Sequence, residues 1–109
     1  MSWEDLKKEI ENDIQNHPIL IYMKGEKEMP MCGFSATVVG IFKELGVPFE
    51  TRNTLKDLDN YRQALKSITD WHTIPQVFIG GEFIGGCDIT LELHQQGELQ
   101  KMVEAALPK

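Results

Sequence analysis

Ile19-Leu20-Ile21-Tyr22-Met23 is an unbroken apolar run between Pro18 and Lys24. It is far shorter than the roughly 20 residues of a membrane helix and lacks the polar alternation of a half-solvated strand. The run therefore predicts a strand buried on both faces, and such a strand needs material packed above and below its sheet.

The flanking patterns supply that material. Ser2 can cap a helix whose first turn carries Glu4 and Asp5, where the helix dipole favours acid. Trp3, Leu6, Ile10 and Ile14 continue it at helical spacing until Pro18. Beyond the apolar run, Lys24 to Met31 reads as a polar loop. A second helix is predicted over about Gly33 to Leu45, closed by Gly46 with Pro48 just beyond. Phe49 to Arg52 reads as a weak strand, and Leu58, Tyr61, Leu65 and Ile68 mark a third helix. Gln76–Ile79 and Glu82–Ile84 flank Gly80-Gly81, a two-residue hairpin signal. Asp88 opens a last helical stretch that Gly97 interrupts. Strand–helix–strand implies a parallel pair with a right-handed crossover, and the hairpin adds antiparallel strands. The expected class is α/β: a four-stranded mixed sheet sandwiched between helices, the layout of the thioredoxin fold.

A chain of 109 residues fits one domain, taken as 1–109, large enough to fold without staples. The net charge of −6, with Lys and Arg scattered, lacks the basic footprint expected for nucleic acid. No apolar run is long enough for a membrane helix, so neither partner is expected. Two distant cysteines, Cys32 and Cys87, are too few for a secreted disulfide scaffold and fit a reducing compartment. The acidic start Met1–Asp5 resembles neither a signal peptide nor an Arg-rich transit peptide, and a removed presequence stays open.

Cys32 lies where the polar loop feeds the second helix. Free amides at a helix start stabilise an anion, and Lys24 adds nearby positive charge, so the thiolate becomes available near neutral pH. A buried inert thiol is the alternative. Ser35 stands where a C-x-x-C motif carries its second thiol. A hydroxyl cannot resolve a mixed disulfide, so this motif cannot cycle through an internal one. Ser35 can instead hydrogen-bond the Cys32 sulfur or satisfy first-turn amides.

Cys32-Gly33-Phe34-Ser35 resembles the signature of the monothiol glutaredoxins. Tyr22-Met23-Lys24-Gly25, Trp71-His72-Thr73-Ile74-Pro75 and Gly85-Gly86-Cys87-Asp88 accompany it in that family's order, over nearly the whole chain. The longer stretch between Lys24 and Cys32 also resembles the monothiol class. The resemblance implies that Cys32 is the reactive thiol and one ligand of a 2Fe–2S cluster bridged between two subunits. Two Cys32 and two glutathione thiolates would complete the four ligands such a cluster takes. An apo monomer would then become a glutathione-bound homodimer, delivering cluster to acceptor proteins, with BolA-like proteins as further partners. Glutathione-dependent exchange on glutathionylated proteins is the competing activity, and a non-catalytic adaptor the third. The compartment implied is bacterial cytoplasm, or mitochondrial matrix after presequence removal.

For glutathione itself, the resemblance implies a site of Lys24, Cys32, Phe34, Arg62, Thr73, Ile74, Pro75, Gly86, Cys87 and Asp88. A cis Ile74–Pro75 bond would bring the Ile74 backbone opposite Cys32, where its N–H and C=O pair with a peptide ligand like an added strand. Paired glycines admit a ligand to the backbone, and the Cys87 and Asp88 amides can bind its carboxylate. The Asp88 side chain can accept from an ammonium or serve only as an N-cap. Lys24 and Arg62 match the cations for the glycine carboxylate, with Gln63 the weaker alternative to Arg62. Cys87 can be glutathionylated, form a disulfide with Cys32, or contribute only its amide.

Two places depart from the family's pattern. His72 stands where a proline is usual, which raises a mononuclear zinc site of Cys32, Cys87 and His72; that set lacks a fourth protein ligand. His17 and His94 read as surface residues. Phe49-Glu50-Thr51-Arg52-Asn53-Thr54 is more polar than the matching strand in relatives, leaving the edge of that strand open.

Overall fold

In the computed structural model, whose described residues are 1–108, helix α1 spans Trp3–Asn16 and begins as its first residues predict. The Asp5 N–H donates to the Ser2 hydroxyl at 3.2 Å while the Asp5 carboxylate accepts from the Ser2 N–H, a reciprocal cap. Strand β1 (Ile19–Met23) follows, buried at every position. Its period of two sends alternate side chains to opposite faces. Ile19, Ile21 and Met23 enter one core with Val38, Phe42, Val77, Leu99 and Val103. Leu20 and Tyr22 enter the other with Leu6, Ile10, Ile14, Leu65 and Phe78.

Helix α2 covers Gly33–Leu45, with Gly46 in the left-handed conformation (φ 70°) that ends it. Strand β4 (Glu50–Asn53) runs parallel to β1, β5 (Gln76–Ile79) antiparallel to it on the other side, and β6 (Glu82–Gly85) completes the sheet in the order β4-β1-β5-β6. Gly80 and Gly81 both take positive φ in the β5–β6 turn, as the hairpin signal requires. Helix α3 (Leu58–Thr69) joins α1 on the Tyr22 face; α4 (Cys87–Gln95) and α5 (Glu98–Ala106) lie on the α2 face, with Gly97 (φ 78°) at their break. The mixed sheet between helices is the expected fold.

Four details differ from the sequence reading. The segment from Lys24 to Met31 contains a small ribbon, β2 (Gly25–Glu26) paired with β3 (Met29–Pro30). The fourth strand is shifted by one residue, because Phe49 turns inward with its ring 5.7 Å from that of Phe42. A single 3-10 turn, Thr54–Asp57, precedes α3. Helix α4 starts at Cys87 with Gly86 as its N-cap, so Asp88 is a first-turn acid and not the cap.

Candidate functional site

The chain leaves β1 at Met23, makes the ribbon and returns so that Cys32 is the N-cap residue of α2, extended at φ −151° and ψ 136°. An N-cap side chain faces the unpaired amides of the first turn. Here the cap atom is sulfur. The neutral thiol makes no cap hydrogen bond, yet the Ser35 amide, with that of Phe34, holds the half-buried thiol below the usual cysteine range, against a smaller opposing effect of burial. The Ser35 hydroxyl and the Lys24 ammonium push the same way. Ser35 is fully buried, and its Oγ accepts from the Lys24 N–H at 3.1 Å, leaving its hydrogen for the sulfur.

Beside the thiol lies a groove of about 270 Å³. Phe34 walls it from α2, Thr73, Ile74 and Pro75 from the segment before β5, and Gly86, Cys87 and Asp88 from the start of α4. The Ile74–Pro75 peptide is cis, as the resemblance implied. A Cβ at Gly86 would lie 3.1 Å from the Pro75 carbonyl oxygen, a tight approach that the glycine avoids. Seven of the ten residues singled out from the sequence therefore converge on one groove. Cys32 and Lys24 lie beside it, close enough for Lys24 to act on the thiol. Arg62 is exposed on α3, forms no ion pair among the described residues and does not line the groove.

Cys87 behaves oppositely to Cys32: burial first, then the Asp88 carboxylate and Cys32, push its thiol up. Among the described residues, no three His, Cys, Asp or Glu side chains gather to hold a metal ion, so the Cys32–Cys87–His72 set does not assemble. Three contributors were missed. Trp71 and Ile89 also line the groove, with Trp71 41% and Ile89 37% exposed despite their apolar side chains. Trp71 lay within a recognised motif, and its place there was the signal the sequence offered. The third is Gln76, fully buried, whose amide donates to the Trp71 and Thr73 carbonyls at 2.7 and 3.1 Å and so shapes the groove wall.

The glutaredoxin family pattern matches residues 19–84. A probable monothiol glutaredoxin 2 of Rickettsia conorii is 52% identical over 88% of this chain and 89% of its own length. A chloroplastic monothiol glutaredoxin of Arabidopsis thaliana is 51% identical over 94% of this chain, which spans 58% of that longer protein. Among solved structures, reduced apo glutaredoxin S14 of poplar superposes with a TM-score of 0.81 at 48% identity, covering 93% of this chain and 92% of its own. A buckwheat glutaredoxin in complex with glutathione superposes at 0.86 with 28% identity, covering 95% and 92%. With Cys32 unaccompanied by a second thiol at Ser35, the chain belongs to the glutaredoxin family, in its monothiol class.

Proposed function

We propose that this protein binds glutathione in the groove beside Cys32 and, as a homodimer, carries a 2Fe–2S cluster that it delivers to acceptor proteins. The observation that carries the reading is an accessible thiol, favoured as thiolate by α2, at one side of a groove whose other side offers the free amides of α4 and the Asp88 carboxylate. Glutathione has matching groups: a thiol at its centre, an α-amino acid at one end and a carboxylate at the other. Asp88 accepts from its ammonium, the Cys87 and Asp88 amides hold the adjacent carboxylate, and Lys24, with Arg62, takes the glycine carboxylate. The donor set fits the cargo: soft thiolates suit iron–sulfur clusters, and one Cys32 per subunit leaves places for glutathione and a second subunit. Cargo held through an exchangeable ligand is suited to transfer, and its binding is linked to dimer assembly. BolA-like proteins are further partners in this reading, and its setting is a reducing compartment, bacterial cytoplasm or mitochondrial matrix.

Reconstitution with ferrous iron, sulfide and glutathione tests it. The expected result is visible absorbance that co-elutes at twice the monomer mass and disappears when glutathione is removed. A colourless monomer overturns the carrier reading.

The lowered Cys32 thiol also favours a second activity, disulfide exchange. The thiolate attacks the glutathione sulfur of a glutathionylated protein, releasing the protein thiolate and leaving glutathione disulfide-bonded to Cys32. A second glutathione thiolate then attacks that adduct, forming glutathione disulfide and restoring Cys32. Ser35 cannot close a competing internal disulfide. Turnover on a glutathionylated peptide by protein that takes no cluster would favour this reading over carriage.

A further inference from the structure

Three consecutive residues at the end of β1 are gripped in turn. The fully buried Thr54 donates its hydroxyl to the Met23 carbonyl at 3.0 Å. The Lys24 N–H donates to Ser35 Oγ, and the Lys24 carbonyl accepts from the Met31 N–H at 2.9 Å. The Gly25 N–H donates to Asn53 Oδ1 at 3.0 Å. That same oxygen accepts from the Leu55 N–H at 3.0 Å, while Asn53 Nδ2 donates to Glu26 Oε1 at 3.1 Å. One amide side chain at the end of β4 thus ties the first turn after the sheet to the ribbon that leads to Cys32.

The geometry admits little slack. Asn53 is itself fixed by its register opposite Met23 in the parallel pair. Gly25 is buried at φ 96°, and a Cβ there would fall 2.6 Å from the Met29 carbonyl oxygen and from the Met31 nitrogen. The far side of the ribbon is pinned separately: the Lys27 ammonium donates to the Phe49 carbonyl and sits 4.3 Å above the Phe49 ring. Lys24 lies between the two anchors Ser35 and Asn53, one on each neighbouring peptide.

We propose that Asn53 is a positioning residue of the site: by holding the Gly25 amide it fixes the direction in which Lys24 leaves the sheet, and so aims the cation at the glutathione carboxylate. The inference rests on the reading of the groove given above. It assigns a purpose to the polar stretch at residues 50–54, whose Thr51, Arg52, Asn53 and Thr54 are only partly exposed or buried. Without the Asn53 oxygen the Gly25 amide loses its partner, and ordering Lys24 becomes a cost borne at binding.

Calorimetric titration of the full chain with glutathione tests this in a double-mutant cycle. Lys24→Ala is expected to weaken binding about tenfold and Asn53→Ala about fivefold, whereas adding Asn53→Ala to Lys24→Ala changes it less than about twofold. Asn53→Asp combined with Glu26→Gln keeps the accepting oxygen without facing two carboxylates at each other, and is expected to stay within about twofold of the unaltered chain. Hydrogen exchange separates aim from integrity: in Asn53→Ala the Gly25 amide loses protection while those of Leu20 to Tyr22 keep theirs. Equal losses with and without Lys24, an Asn53→Ala chain that binds normally, or exposure of the β1 amides would each overturn the proposal while leaving the groove intact. If the unaltered chain takes up no glutathione, the groove reading itself fails.

Discussion

Both cysteines stand at the start of a helix on the same side of the sheet, yet their thiols are driven in opposite directions. Cys32 is the N-cap of α2, so its sulfur faces the Phe34 and Ser35 amides and is held down. Cys87 is one place further along, the first residue of α4, where Gly86 is the cap; burial and the Asp88 carboxylate dominate and push it up. A helix N-terminus favours an anion throughout its first turn, but at Cys87 burial and the neighbouring Asp88 charge outweigh that preference. In the proposed reading the two sites divide the work: the first supplies a reactive sulfur, the second amides and a carboxylate for a zwitterion.

The largest expected effect comes from removing the sulfur on the favoured side. Cys32→Ser should abolish both the reconstituted chromophore and the mixed disulfide with glutathione. Its melting temperature should stay within about 3 °C, since the side chain is only half-buried. A full chromophore in this variant would refute the ligand assignment.

Altering the other side should come next. Asp88→Asn is expected to weaken glutathione binding about tenfold by calorimetry, through loss of a charge-assisted contact. The same change should bring the Cys87 thiol down, because the Asp88 charge is its second-largest cause of elevation. Unaltered binding would mean the zwitterion does not lie on α4.

Ser35→Ala sharpens the comparison at the favoured sulfur. The thiol should rise towards its ordinary range, the thiolate fraction at pH 7 should fall, and alkylation by iodoacetamide should slow about threefold. Cys87→Ser should have the smallest effect, changing cluster loading by less than about twofold, because a raised, partly buried thiol is a poor ligand.

Much of this was legible locally. The five apolar residues of β1, the Gly46 stop of α2 and the Gly80-Gly81 turn depend on neighbours a few places away, and each formed as expected. The strand at residues 49–54 formed within one residue of its expected place, but its edge was not legible because its polar side chains find partners far along the chain. Arg52 Nε donates to Asp13 at 3.1 Å across 39 residues, and Asn53 reaches Gly25 across 28. Those ties make a polar strand acceptable at the sheet edge, and no periodicity announces them. The ribbon was equally hidden, since two-residue strands show no alternation. Arg62 illustrates the converse: a residue assigned through the family resemblance, outside its quoted motifs, has its side chain on the surface of α3, outside the groove lining.

Protonation supplies the final test. Since the fold favours the Cys32 thiolate, alkylation should approach its plateau at a lower pH than for free cysteine. By linkage, this favoured thiolate contributes stability above the unfolded thiol range, and the contribution is lost as pH falls through the folded range of Cys32. The most direct measurement is the ultraviolet thiolate titration of Cys87→Ser, in which Cys32 is the only cysteine. The account predicts a single midpoint below that of free cysteine. A midpoint at or above it would contradict the claim that α2 prepares this sulfur for its chemistry.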